Sequence, residues 1–404
     1  MGTTEWIVVV LVVGGRLFLP LLIPYFPVPA LLSCLILDSI DQSIFQQFPS
    51  IPLDGYQSYD KALDVYYLSV AYLSTLRNWT NQTAFRMSQF LYYYRMMGVV
   101  LFELTQSRAV LFIFPNTFEY FFLFVEFVRW GWDTNRMGKW TVILSAAAIW
   151  VFIKLPQEWW IHIAKLDMTD FIKESLFGVS ATARWSTAVG NRPWVLAAAI
   201  ALFAVVGLVA YLLIRFKAPA FDHGPRIAAN ALPSELRGAD PYRKVRAETG
   251  IWGWQLREKV ALTAIISVIF GLMLTGGDAS PLRIAVGAAI FTVVNAGVSH
   301  AMAVRGRSWR LLAGELVAML FVNLLILLVL EALDRFLGMR EARVPFAMTL
   351  FFAYLLTLIV VLYDRFRTVY KARRLHRRDE EAAAGEVSGP AGRGSDGGAT
   401  AAPA

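Results

Sequence analysis

Asp38 and Asp41 stand three residues apart in the apolar stretch 35–48, so a helix there carries both carboxylates on one face. Gln42 lies four residues after Asp38 and extends the stripe. Two carboxylates side by side in apolar surroundings suit cation or proton binding, or a metal bridge to a phosphate; a helix ending early would instead leave them as wet interfacial groups. Arg95, Glu103 and Arg108 fall in one long run, 87–114, whose middle, Leu104-Thr105-Gln106-Ser107, is polar. One reading takes Arg108 to Asp38 or Asp41 to hold an anionic group. A second pairs Glu103 with Arg95 or Arg108 as an interhelical ion pair. A third breaks the run near Gln106.

Glu119 opens the next apolar stretch behind Thr117, a plausible N-cap, at the positive end of a helix. Glu126 and Arg129, three apart, are read as a plain pair. In the segment 157–172, Ile161, Ala164, Met168 and Phe171 recur at helical spacing, with Trp159 and Trp160 as interfacial anchors. His162, Asp167 and Asp170 would then stand above the same cavity as acid–base groups, or be solvated. The candidate ligand-binding set is Asp38, Asp41, Arg108 and Glu119, with Glu103, Arg95, His162 and Asp170 as accessory groups and no residue assigned to catalysis.

Other chemistry is thinly represented. One cysteine, Cys34, forms no internal disulfide, and the four histidines are scattered without zinc spacing. No phosphate-cradling glycine loop, kinase set or G-x-S-x-G sequence occurs. No second acidic motif of the kind metal-dependent prenyl-transfer enzymes need is identified beside Asp38 and Asp41. These features predict no cofactor and no protein-bound metal.

The elements that position these groups are set by composition. Hydrophobic residues make up 57% of the 404, charged residues 17%, and mean hydropathy is +0.52. A soluble chain holds about 45–50% and 25% respectively, so the fold class is all-α: a polytopic helical integral membrane protein with an interfacial amphipathic helix on the outer side. About 20 apolar residues cross the hydrocarbon as helix. Candidate spans lie near 5–24, 29–47, 62–78, 87–114, 117–131, 139–155, 193–215, 258–275, 282–303, 311–333 and 345–364, about eleven in all. Only Pro24 to Pro29 connects the first two, which suits a proline-broken re-entrant pair as well as two spans. The N-terminus lacks a basic region, a small-residue cleavage site and the Ser or Thr that myristoylation needs, so neither a cleaved leader nor that anchor is expected.

Orientation follows the lysines and arginines. They crowd the loop between Arg215 and Lys259, the Arg305–Arg310 loop and the tail start at Arg365. These face the cytoplasm, the acids of the first half face outward, and the net charge of +8 addresses anionic lipid rather than nucleic acid. The chain divides into an N-terminal membrane half with buried ionisable residues (1–215), a basic cytoplasmic linker (216–257) with a surface helix near 242–259, a four-helix C-terminal membrane bundle (258–366) and a disordered cytoplasmic tail (367–404). Asn295 and Asn323 should bond across that bundle.

The function expected is that of a plasma-membrane transporter or permease-like protein, binding a charged or amphiphilic small molecule or lipid headgroup in an outward-facing polar cavity. The alternatives are a membrane enzyme of envelope lipid or glycan assembly acting at the outer leaflet, and a structural or assembly protein with no small-molecule site. Expected partners are the bilayer and its anionic lipids, a small-molecule or lipid substrate, and proteins recruited by the cytoplasmic loop and tail.

Overall fold

The computed structural model describes residues 2–45, 48, 56–166, 168–232, 252–275, 280–305, 314, 316–325, 328 and 346–387. Among them every regular element is helical. The chain order is α1 (Thr3–Phe18), α2 (Pro27–Phe45), α3 (Tyr56–Asn78), α4 (Gln82–Thr105), α5 (Arg108–Ile113), α6 (Thr117–Gly131), α7 (Lys139–Ile163), α8 (Met168–Phe171), α9 (Trp185–Asn191), α10 (Pro193–Lys217), α11 (Trp254–Thr275), α12 (Pro281–Val304), α13 (Leu316–Leu325) and α14 (Phe346–Val387).

Among the described residues, five helical stretches are long and apolar enough to cross a membrane: Thr3–Leu22, Arg108–Gly131, Lys139–Ile163, Pro193–Lys217 and Pro281–Val304. Of the other expected spans, 311–333 lies partly outside the described residues, and several of the rest are polar. α3 carries Asp60, Lys61, Asp64 and Arg77, α4 carries Arg86, Arg95 and Glu103, and α11 opens with Arg257, Glu258 and Lys259. These polar helices are the interior ones. α3 is buried from Ala62 to Trp79 apart from Asp64 and packs on α2, α4, α11 and α14. α10, the most apolar helix, buries only Val195.

One hydrophobic cluster runs from Ile23 to Tyr370 and joins the two halves of the chain. Tyr72 of α3 stacks on Tyr92 of α4 at 4.5 Å, and Trp79 stacks on Phe122 of α6 at 5.7 Å. In the second half Asn295 donates to Asn323 (2.8 Å), which donates to Thr357 (2.9 Å), tying α12, α13 and α14 as expected of interhelical amides.

The long run 87–114 is broken. Gln106 caps α4 in the left-handed region (φ 52°) and turns the chain, so α5 folds back along α4. Tyr94 Oη donates to the carbonyl of Ile113 (2.9 Å) and Arg95 to that of Phe114 (3.0 Å). Gly98 makes this return fit: a Cβ there would lie 2.2 Å from Cβ of Phe114. The outer interfacial helix is also different from expectation. α7 runs on through Trp159 and His162 to Ile163, and α8 begins a separate short helix at Met168; Asp167 lies outside the described residues. The first residues of the expected disordered tail are helical, since α14 extends to Val387. Arginine, alanine and glutamate dominate there, all strong helix formers. The expected surface helix near 242–259 lies largely outside the described residues.

After α10, residues 218–232 form a strap across one end of the bundle. Main-chain N–H groups of Asp222, Arg226 and Ala229 donate to the carbonyls of Gly131, Trp130 and Tyr25 at 2.9, 3.0 and 2.7 Å. Three arginines from three helices grip its carbonyls: Arg129 takes Ala228 (3.1 Å), Arg77 takes Asn230 (3.5 Å) and Arg373 takes Ala231 (2.9 Å). Arg373 is pushed down to about 10, first by burial and then by the neighbouring charges of Arg77 and Arg129. Glu126, fully buried, holds Arg129 at 2.6 Å and accepts from the Trp79 indole at 2.7 Å.

Removing Arg129 leaves Glu126 as an uncompensated buried charge, a loss of about 3 kcal/mol or more. Thermal denaturation of the purified protein should therefore show a large drop in Tm for Arg129→Ala, partly recovered in the Glu126→Gln/Arg129→Ala double variant. An unchanged Tm in the single variant would mean that the pair carries no structural weight.

Candidate functional site

Hydrocarbon surroundings make an isolated charge expensive, so ionisable groups in such helices gather. Here they gather on Arg16. This arginine lies in the last turn of α1, two residues before Phe18, inside the apolar stretch Thr3–Leu22. Gly15 beside it lets α2 close in: a Cβ there would meet Leu37 Cδ2 at 2.8 Å. α2 then presents Asp38 and Asp41 on one face, and α3 presents Asp60 and Asp64 four residues apart, also on one face.

All four carboxylates reach the one guanidinium. Nη1 of Arg16 donates to Asp41 Oδ2 and Asp60 Oδ1, each at 2.5 Å. Nη2 donates to Asp38 Oδ1 and to Asp64 Oδ1, the latter at 2.9 Å. The Tyr59 ring covers the guanidinium at 5.8 Å. Burial is uneven. The side chains of Arg16 and Asp41 are 4% and 0% exposed, whereas those of Asp38, Asp60 and Asp64 are 29%, 33% and 40% exposed. The cluster is thus sealed on its Arg16–Asp41 side and open on the side of the other three acids.

With every carboxylate ionised, one positive and four negative charges leave an excess of three negative. Like charges so close cannot all stay ionised cheaply. Such an arrangement can take up protons or a cation at low energetic cost. Oxygens of Asp38, Asp60 and Asp64 lie within 4.8 Å of one another, a spacing that one metal ion can bridge.

A polar layer continues from this cluster. Tyr67 of α3, within electrostatic reach of Asp38 and Asp64, donates to Glu119 Oε2 at 2.7 Å. Asn116, which caps α6 in place of Thr117, donates to the same oxygen at 2.8 Å. Lys154 and Arg95 lie within electrostatic reach of Glu119 and of Glu158. Glu158 pairs with Lys154 at 3.6 Å and with His162 Nε2 at 3.0 Å, and accepts from the Asn116 main chain at 3.1 Å. On α3, Lys61, next in sequence to Asp60, pairs with Glu103 at 3.1 Å.

The structure thus brings together Asp38, Asp41 and Glu119 of the expected ligand set, with Glu103, Arg95 and His162 in the adjoining layer. It does not bring Arg108. The turn at Gln106 carries Arg108 to an exposed position at the start of α5, and Arg16 takes the place expected of it beside Asp38 and Asp41. Glu103 likewise pairs with Lys61 rather than with Arg95 or Arg108. Asp170 is exposed on α8. Three central residues, Arg16, Asp60 and Asp64, escaped the sequence reading, and a second acidic pair does face Asp38 and Asp41. The signals existed: a lone arginine in a run of apolar residues, and Asp60-Lys61-Ala62-Leu63-Asp64 with two acids at helical spacing.

Compared with family models, curated proteins and solved structures, the chain matches none of them.

Replacing Arg16 by glutamine removes the cation that contacts all four clustered acids. Their mutual repulsion is relieved by protonation in the folded state, so stability should rise as pH falls. The expected result is a Tm for Arg16→Gln well below wild type at pH 8, with a gap narrowing by half or more at pH 5. A gap independent of pH would show that the acids do not repel through the place Arg16 occupies.

Proposed function

We propose that this chain is a multi-pass plasma-membrane protein of permease type. It binds a charged or amphiphilic small molecule, or a lipid headgroup, at the Arg16–Asp38–Asp41–Asp60–Asp64 cluster, and protons or a cation share the site. The observation that carries the reading is the single buried guanidinium shared by four carboxylates from two other helices, three of them partly open. A purely structural ion pair needs one acid per base. Three further carboxylates in apolar surroundings cost stability, and that cost is reasonable where their occupancy changes during function.

The membrane setting is supported by the exposed apolar surface of α10 and of Thr3–Leu22, far beyond what a water-soluble protein tolerates. Orientation rests on charge. The Arg77–Arg129–Arg373 end, with the basic loop and tail, faces the cytoplasm, which sets the acid cluster towards the exterior. Mixed charge around the cluster suits a substrate bearing an amine, and the exposed carboxylates Asp38, Asp60 and Asp64 are its partners.

A second reading, an enzyme acting on lipid-linked substrates at the outer leaflet, is favoured by one observation. The spacing of the Asp38, Asp60 and Asp64 oxygens would let a divalent cation bridge protein and phosphate. The two readings part on cation dependence.

The test is charge movement in proteoliposomes adsorbed on a solid-supported membrane. Stepping pH from 8 to 6 without added substrate should displace charge in the wild type. Asp38→Asn and Asp64→Asn should reduce the signal about tenfold, while Glu103→Gln, outside the cluster, retains it. The same signal in the cluster variants as in wild type, or none in the wild type with either protons or Mg²⁺, would defeat the proposal. A response to Mg²⁺ alone would transfer the support to the enzyme.

A further inference from the structure

A groove of about 510 Å³ runs along the outside of α4, away from the acid cluster. Its floor is a single helix face, because Arg86, Phe90, Met97 and Leu101 recur at helical spacing, and Phe114 of the folded-back segment forms its side. From Arg86 to Leu101 the groove covers fifteen residues, about 22 Å at 1.5 Å per residue. That exceeds the roughly 15 Å depth of one leaflet's hydrocarbon. Aromatic rings stiffen the wall: Tyr94 lies 4.5 Å from Phe114 and 5.7 Å from Phe90.

The groove is polar at one end only. Arg86 is exposed and makes no hydrogen bond or ion pair with any described residue. It lies one turn into α4 from Asn81, whose amide binds the carbonyls of Thr134 and Met137 just after α6. Arg86 therefore belongs to the Arg77–Arg129 end of the bundle. Gln89 and Tyr93 line the groove with their stems, the Gln89 amide donating inward to Tyr72 and Glu258 at 3.1 and 3.0 Å. Towards Leu101 the lining is apolar.

We infer that this groove holds a phospholipid with an anionic headgroup, drawn from the cytoplasmic leaflet. Arg86 binds the phosphate, and an acyl chain lies along Phe90, Met97 and Leu101. A soluble phosphate would find one arginine and no use for the apolar length. A zwitterionic lipid would bring a second positive charge to an end already crowded with arginines. The inference rests on the membrane placement proposed above but not on the acid cluster, so either can fail alone.

Native mass spectrometry of the full chain released from nanodiscs of equimolar phosphatidylglycerol and phosphatidylcholine tests it. Wild type should retain phosphatidylglycerol in preference. Arg86→Gln should lower that retention about fivefold, the factor one interfacial arginine contributes to anionic-lipid binding. Arg86→Lys should restore most of it, and Met97→Trp, which fills the groove, should release lipid of both kinds. Asp38→Asn, in the acid cluster, should leave retention unchanged. Equal retention of the two lipids by wild type, or wild-type retention by Arg86→Gln and Met97→Trp, would overturn the assignment.

Discussion

The structure depends on one guanidinium with more acids than it can neutralise. Arg16 closes the interface between α1, α2 and α3 by donating to acids on the second and third helices at once. A planar fork with five donors is the side chain suited to this, and lysine, a point charge, would satisfy fewer oxygens. Every contact is charge-assisted, the stronger class of hydrogen bond. Yet the arrangement leaves surplus negative charge, and it leaves it on the accessible side. Packing alone would have selected one aspartate, sealed like Asp41.

That surplus is tolerable because the fold distributes polarity inversely to a water-soluble bundle. α3, with acids and a lysine near its start and Arg77 at its end, is the most enclosed helix, while α10 exposes nearly all its apolar surface. In water the opposite arrangement minimises free energy. In lipid, apolar side chains lose nothing by facing outward, and polar ones must find partners inside. The partners are visible throughout: Glu258 accepts from Tyr72, Gln89 and Tyr363 and pairs with Arg367, and Lys259 reaches Asn295 and Asp364.

This inversion explains what was legible in the sequence. Helical class, the apolar peripheral helices, the shared face of Asp38 and Asp41, the Glu126–Arg129 pair and the Asn295–Asn323 bond all follow from local spacing, and spacing is written in the chain. The interior helices were harder, because a helix that meets no lipid need not be apolar, so hydropathy gives α3 and α4 too little signal. Arg108 can reach Asp38 or Asp41 only if the run 87–114 continues inward unbroken. The polar middle Leu104-Thr105-Gln106-Ser107 also allows a break near Gln106, and that alternative is the one the structure takes. Arg16 was hidden for the opposite reason. A span rule absorbs one charge in 20 apolar residues without asking what it binds, although a charge kept there at such cost is where a partner should first be sought.

The two ends of the interior helices are electrically opposite, and this bears on how the molecule sits in a membrane. α3 begins with Asp60 and Asp64 and ends with Arg77; α6 begins with Glu119 and ends with Arg129. Around the Arg16 end negative charge exceeds positive by three, and around the strap three arginines meet one buried glutamate. Such polarity opposes the helix dipole in neither case: acids stand at helix starts and bases at helix ends, where each is stabilised. In the orientation proposed above, the same polarity would agree with the retention of positive charge on the cytoplasmic side. The strap's arginines, held by carbonyls and, for Arg129, also by the Glu126 carboxylate, give the other end its positive charge.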